Sequence, residues 1–171
     1  MKELTKNILR VSKNIQAEIN KSFKPPDDGT DSQFDLVLSR TLFKGTRGYL
    51  EKVVTQINGC YEKGWYDSCS VMIRRLIETL IIECFEAHNI ANKIKTSNGD
   101  FYYLNDLINL LLNEPTWNLG RNARSALPRL KNIGDKSAHS RRFTAIRKDI
   151  DKLSDDLRNV AQELLYLSNL K

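Results

Sequence analysis

Two groups of residues in this 171-residue chain have the types and spacing to do chemistry. The first surrounds His139. On a continuous helix Lys131, Asp135 and His139 fall at i, i+4 and i+8 along one polar stripe, with Arg124 above and Asn132 and Lys136 alongside. Asp135 in that position could hold the imidazole in one tautomer and leave its other nitrogen free for proton transfer. Lys131, Arg141 and Arg142 would supply positive charge to hold a phosphate. The same spacing has a plainer solution, in which Asp135 pairs with Lys131 and His139 ends the helix at its negative pole. The second group is Arg74 and Glu78, an i,i+4 pair inside the otherwise apolar sector of WYDSCSVMIRRLIETLIIECFEA. A buried charge without a partner is costly, so this pair is either a lock for the fold or part of a site.

The charge is local. Between Leu119 and Lys148 stand nine basic residues, Arg121, Arg124, Arg129, Lys131, Lys136, Arg141, Arg142, Arg147 and Lys148, and one acid, Asp135. That segment carries +8 while the whole chain carries +6, so the remainder is net −2. Such a patch is the electrostatic footprint of a protein that binds RNA or another polyanion. Arg121, Arg124, Arg129, Lys131, Lys136 and Arg147 are then the candidate phosphate-binding residues. The alternative is a solvated face that serves solubility alone.

Much chemistry is excluded. There is no GxGxxG or GxxxxGK[ST] loop to cradle a nucleotide, and no Ser or Cys stands in a recognisable nucleophile setting. His88 and His139 lie too far apart to share a metal by ligand spacing, so neither a metal nor a cofactor is expected. Cys60, Cys69 and Cys84 are an odd number without CxxC pairing and read as small apolar residues in a reducing compartment. The first residues, MKELTKNILRVSKNIQ, lack the apolar stretch of a signal peptide, and no run approaches the roughly 20 apolar residues of a membrane span. A cytoplasmic location without membrane contact is expected.

The elements that must position these residues are helices. Leu4, Ile8, Val11, Ile15 and Ile19 mark a first amphipathic helix, which KPPDDGTDS breaks, so residues 1–33 form an N-terminal helix and linker and residues 34–171 a bundle. FDLVLSRTLF is a short helix or an extended segment crossing the core. Thr46 is the expected N-cap of a helix with Tyr49, Leu50, Val53, Val54, Ile57, Cys60 and Tyr61 inside and Gly64 at its end. The segment Trp65 to Ala87, apolar around most of its circumference, belongs at the centre, with Arg75, Thr79, Glu83 and Glu86 on its polar side. After a polar loop, Asp100 caps a helix that Pro115 stops. The basic helix follows, with Pro128 kinking it or opening a new helix, and Ala123, Ala126, Leu127, Leu130, Ile133, Gly134 and Ala138 as a small-residue face for close approach. From about Thr144 to Leu170, Ile146, Ile150, Leu153, Leu157, Val160, Leu164 and Leu167 form a heptad seam, the pattern of a bundle helix or of a dimer interface. The expectation is one all-α, up-and-down bundle of five to six helices.

GYLEKVVTQINGCYEKGWYDSCSVMIRRLIETLIIECFE, then RLKNIGDKSAHSRRF and the heptad helix, resembles the HEPN-like helical domains, in particular bacterial families of unassigned function with an RRxxE central helix and a later G[ND]xxAH motif. The likeness spans roughly Gly48 to Leu170. It implies a bundle that often forms a homodimer and, in its catalytic branch, a metal-independent endoribonuclease of toxin–antitoxin or anti-phage defence systems. That branch pairs the histidine, matched by His139, with an arginine a few residues upstream, across a dimer interface. The corresponding positions hold Asn132, Ile133 and Gly134. The resemblance therefore implies a noncatalytic RNA-binding or protein-interacting bundle. The alternatives are a ribonuclease using His139 with Arg141 or Arg142 on the scissile phosphate, and a dimeric interaction scaffold.

Overall fold

The computed structural model describes residues 10–12, 14 and 35–171. The backbone divides into two units, Met1–Asp31 and Ser32–Lys171. Of the expected first helix, Arg10, Val11, Ser12 and Asn14 are helical. Its other positions, and the Pro/Asp-rich linker, lie outside the described residues. The second unit contains α1 (Arg40–Phe43), α2 (Gly48–Glu62), α3 (Tyr66–Ala87), a 3-10 turn (Ala91–Ile94), α4 (Leu104–Asn113), α5 (Arg121–His139) and α6 (Arg147–Leu167). Among the described residues there is no strand, and an isolated antiparallel bridge joins Lys95 to Phe101. The protein is all-α.

Helix α3 is the hub, because its apolar sector is too wide for one neighbour to cover. It packs against α2, α4, α5 and α6 and against the 3-10 turn. Ile73, Leu76, Ile77, Leu80, Ile81, Cys84 and Phe85 are buried there. The long helices alternate in direction. The Cys69 thiol reaches the Ile57 carbonyl and Tyr49 bonds Glu83, which sets α2 antiparallel to α3. Arg129 meets Asp156 and the Gly120 N–H meets Glu163, which sets α5 antiparallel to α6. The resulting four-helix layout is up-and-down, with α4 laid on α3 and α5.

Three helices stop in the same way. After α2, Gly64 takes φ 77°, its N–H donates to the Tyr61 carbonyl, and the Trp65 N–H donates to the Cys60 carbonyl at 2.8 Å. That is a Schellman ending, which needs a residue at ease in the left-handed region. Asn89 at φ 59° and Asn169 at φ 53° do the same after α3 and α6.

Several local expectations need correction. Thr46 does not cap α2, because its hydroxyl donates to the Phe43 carbonyl at 2.6 Å and Arg47 takes the N-cap position. Asp100 does not cap α4, which begins at Leu104 after Tyr103. Its carbonyl instead accepts the Thr96 N–H and closes a turn. Pro128 lies on the exposed side of a helix that runs unbroken from Arg121 to His139. Ala138 is exposed and leaves the small-residue face. Helix α6 is shorter than expected at both ends, and Ile146, at its N-cap, is 57% exposed. Glu83 is buried, at 6% exposure, because Tyr49 donates to it and Arg47 approaches to 3.6 Å. Of FDLVLSRTLF, the described residues from Asp35 on place Val37 and Leu38 in a bent, non-helical stretch buried in the core, and the single turn α1 follows.

Candidate functional site

Helices α3 and α5 approach each other closely at Gly134. A Cβ built there would lie 2.5 Å from the Arg74 Cβ and 3.0 Å from the Ser70 carbonyl oxygen, so only glycine fits without a shift. This close approach brings Arg74 beside the next residue of α5. The Arg74 Nε donates to Asp135 Oδ1 at 2.8 Å, and one terminal nitrogen donates to Glu78 Oε2 at 3.2 Å. Lys131 Nζ donates to the other Asp135 oxygen at 2.5 Å. The four groups form one half-buried network between two helices. Burial pushes the Asp135 carboxyl up, but the hydrogen bonds from Lys131 and Arg74 outweigh it and hold it below the usual aspartate range.

This arrangement decides between the two solutions the spacing allowed. Both Asp135 oxygens are engaged by Arg74 and Lys131, so Asp135 does not orient His139. His139 is the last residue of α5, exposed, and its imidazole makes no hydrogen bond or ion pair among the described residues. The pair Arg74–Glu78 is not deeply buried. It belongs to a cross-helix lock whose third member, Asp135, the i,i+4 spacing could not name.

The basic segment separates into engaged and unengaged cations. Arg129 is paired with Asp156 at 2.7 Å, and Arg124 donates to the Leu112 carbonyl at 2.9 Å, closing the end of α4. Arg147 donates to the Tyr61 hydroxyl at 2.9 Å with its guanidinium 5.2 Å from the ring centroid, and that hydroxyl donates to Asp151. Arg121, Lys136, Arg141, Arg142 and Lys148 are exposed and make no ion pair among the described residues. Lys136 lies 5.9 Å from the centroid of the half-buried Phe143.

Four of these five cations gather at one end of the bundle, because α5 ends and α6 begins there. The α5–α6 connection is tied down by the Asp67 carboxylate, which accepts the Ala145 N–H at 2.9 Å. That bond brings Lys136, His139, Arg141, Arg142 and Lys148 to the end that also carries Tyr61, Trp65 and Tyr66. Arg121 stands at the opposite end of α5, beside a cleft of about 700 Å³ lined by Gly120, Asn122, Asn159, Gln162, Glu163 and Tyr166 among others.

Other side chains do structural work. Asn58 is fully buried, accepts the N–H groups of Val37 and Leu38 at 2.9 and 3.1 Å, and donates to the Leu38 carbonyl at 2.7 Å. Arg158 adds a bond to the Val37 carbonyl at 2.9 Å. Sequence reading passed over Asn58; an amide on the inner side of an apolar helix, next to Ile57, was the available signal. Burial pushes the thiols of Cys69 and Cys84 up to about 12, which leaves them protonated and unreactive at neutral pH. Among the described residues no group of three or more His, Cys, Asp or Glu could hold a metal ion, and no helix is long and apolar enough to cross a membrane. Compared with family models, curated proteins and solved structures, the chain matches none.

Proposed function

We propose that this chain is a noncatalytic helical module that engages RNA or a similar polyanion through the bundle end formed where α5 meets α6. One observation carries the reading: Lys136, Arg141, Arg142 and Lys148 are exposed at that end without an acidic partner among the described residues. The field of these cations is not spent inside the molecule, whereas Arg129 and Lys131 are neutralised locally. The resemblance to HEPN-like domains points the same way and suggests a setting in a bacterial toxin or anti-phage system. Binding to a labelled RNA should weaken steeply with added salt, since each neutralised phosphate releases a counterion. Salt-independent binding, or none, would overturn the proposal.

A second reading, a metal-independent ribonuclease, is favoured by the exposed imidazole of His139 with Arg141 and Arg142 just beyond it. It lacks an oriented base, because Asp135 is held by Arg74 and Lys131. RNA cleavage in the presence of a chelator, lost in His139→Ala, would favour it; cleavage unchanged in that variant would end it. In a third reading the chain is a homodimeric scaffold with a protein partner. The α6 seam is mostly spent inside the chain, with Ile150, Leu157, Val160 and Leu164 buried, so a dimer would have to use another face. A monomer mass by light scattering would count against it.

A further inference from the structure

Trp65 is a half-exposed aromatic whose side chain has no polar or ring partner among the described residues. It stands 49% exposed at the turn between α2 and α3. Trp117 shows what a structural tryptophan does here. Its indole N–H donates to the Leu111 carbonyl at 3.0 Å, and its ring lies against Phe85 and His88 at centroid distances of 5.0 and 5.1 Å.

The surroundings of Trp65 are built. Tyr66 lies edge-on to Tyr61 at 5.8 Å, Arg147 covers the Tyr61 ring, and the bond from Ala145 to Asp67 fastens the α5–α6 connection to the start of α3. Trp65 therefore shares one bundle end with Lys63, Arg141, Arg142 and Lys148, all exposed. A half-exposed indole at the same bundle end as unpaired cations is a combination that holds single-stranded nucleic acid: the cations take successive phosphates and an unpaired base stacks on the ring. A duplex has its bases stacked on one another, and a sulfated or phosphorylated polymer has none to offer.

We infer that this end of the bundle takes single-stranded nucleic acid, with the Trp65 indole as the platform for one unpaired base. The inference rests on the polyanion reading above and gives that reading a ligand class. The cations favour it over a protein partner, for which a half-exposed Trp would also serve as an anchor.

The test compares a labelled 12-nucleotide single-stranded RNA, the duplex of the same length, and heparin, each titrated into the full chain. Three results are expected: the single strand binds more tightly than the duplex; it quenches the exposed tryptophan emission while heparin at equal occupancy does not; and Trp65→Ala weakens the single strand about 5- to 150-fold, with heparin changed less than about two-fold. Trp65→Phe should recover part of the loss, and an unchanged Tm would show that both variants fold. Equal loss for RNA and heparin, or no loss for either, would overturn the stacking inference while leaving the polyanion reading in place. Failure of all three ligands to bind would overturn both and turn Trp65 toward a protein partner.

Discussion

Arg74 on α3 donates to Asp135 on α5 at 2.8 Å, beside the point where Gly134 lets the two helices touch. Three parts of the sequence that look separate, RRLIE, the glycine and the aspartate of IGDKSAH, thus act as one joint. The glycine removes the Cβ that would hold the helices apart, and the guanidinium then reaches the carboxylate while keeping its own-helix bond to Glu78. With 26% and 29% of their side chains exposed, Arg74 and Asp135 keep enough solvent to avoid the full cost of burying charge.

The joint predicts unequal losses. Asp135→Ala leaves Arg74 and Lys131 facing each other across a half-buried gap and should cost about 1–3 kcal/mol, between the values for exposed and buried pairs. Glu78→Ala removes a single bond at 32% exposure and should cost less than about 1 kcal/mol. Urea unfolding of the two variants checks the order; equal losses would refute it.

Two glycines give opposite predictions for the same change. Gly134→Ala puts a methyl group against the Arg74 Cβ and the Ser70 carbonyl, and should destabilise by about 1–3 kcal/mol. Gly59→Ala, inside α2 with nothing within 4 Å of the new Cβ, should stabilise by about 0.5–1 kcal/mol. Thermal melts of both variants decide this.

Stability should also respond to acid through opposite groups. Asp135 is held below the usual aspartate range, so its contribution is complete above about pH 4 and is lost as pH falls through its lowered value. Glu83 is the reverse: burial raises its carboxyl, against the Arg47 charge and with help from Glu86. Its raised value makes it a favourable term below the ordinary glutamate range that fades as pH rises through the folded value. Unfolding free energy followed from pH 2 to pH 7 should lose part of its acid-side fall in Asp135→Asn and part of its decline on the rising side in Glu83→Gln.

Asn58→Leu removes three bonds that tie the segment before α1 to α2. Each buried backbone group left unpaired costs about 1–3 kcal/mol, unless the segment lifts into water. The expected outcome is a loss of amide-exchange protection at Val37 and Leu38 with α5 and α6 protected as before. Unchanged protection would show that Arg158 alone suffices to hold the segment.

The unengaged cations should control nucleic-acid binding and the engaged ones should not. Replacing Arg141, Arg142 or Lys148 by Ala should lower the salt slope of RNA binding by about 0.7 for each phosphate no longer neutralised. Arg129→Ala should leave it nearly unchanged, because Asp156 already neutralises that charge. Anisotropy titrations at several salt concentrations separate these outcomes.

Helix content and the central place of α3 were determined by the sequence itself, because the apolar spacing of Ile73, Ile77, Leu80, Cys84 and its neighbours is a property of one segment and demands cover on several sides. The ending at Gly64 was equally local, since glycine is the residue at least cost in the left-handed region. The buried polar groups were not legible in the same way. Glu83 reads as a solvent-facing acid in its own helix and is buried only because Tyr49 and Arg47 arrive from the start of α2. Asn58 looks like a flaw in an apolar face until the backbone of Val37 and Leu38 is laid against it.

The same limit applied to the candidate site. Its +8 segment was visible as a charge count, but which of its cations remain available depends on acids far along the chain, such as Asp156. The stripe Lys131, Asp135, His139 was correct as spacing, yet spacing within one helix does not say that Arg74, 61 residues away, will take the carboxylate. Periodicity and turn chemistry act over a few residues and can be read along the chain. Pairing across helices depends on which faces the fold brings together, and only the tertiary structure decides that.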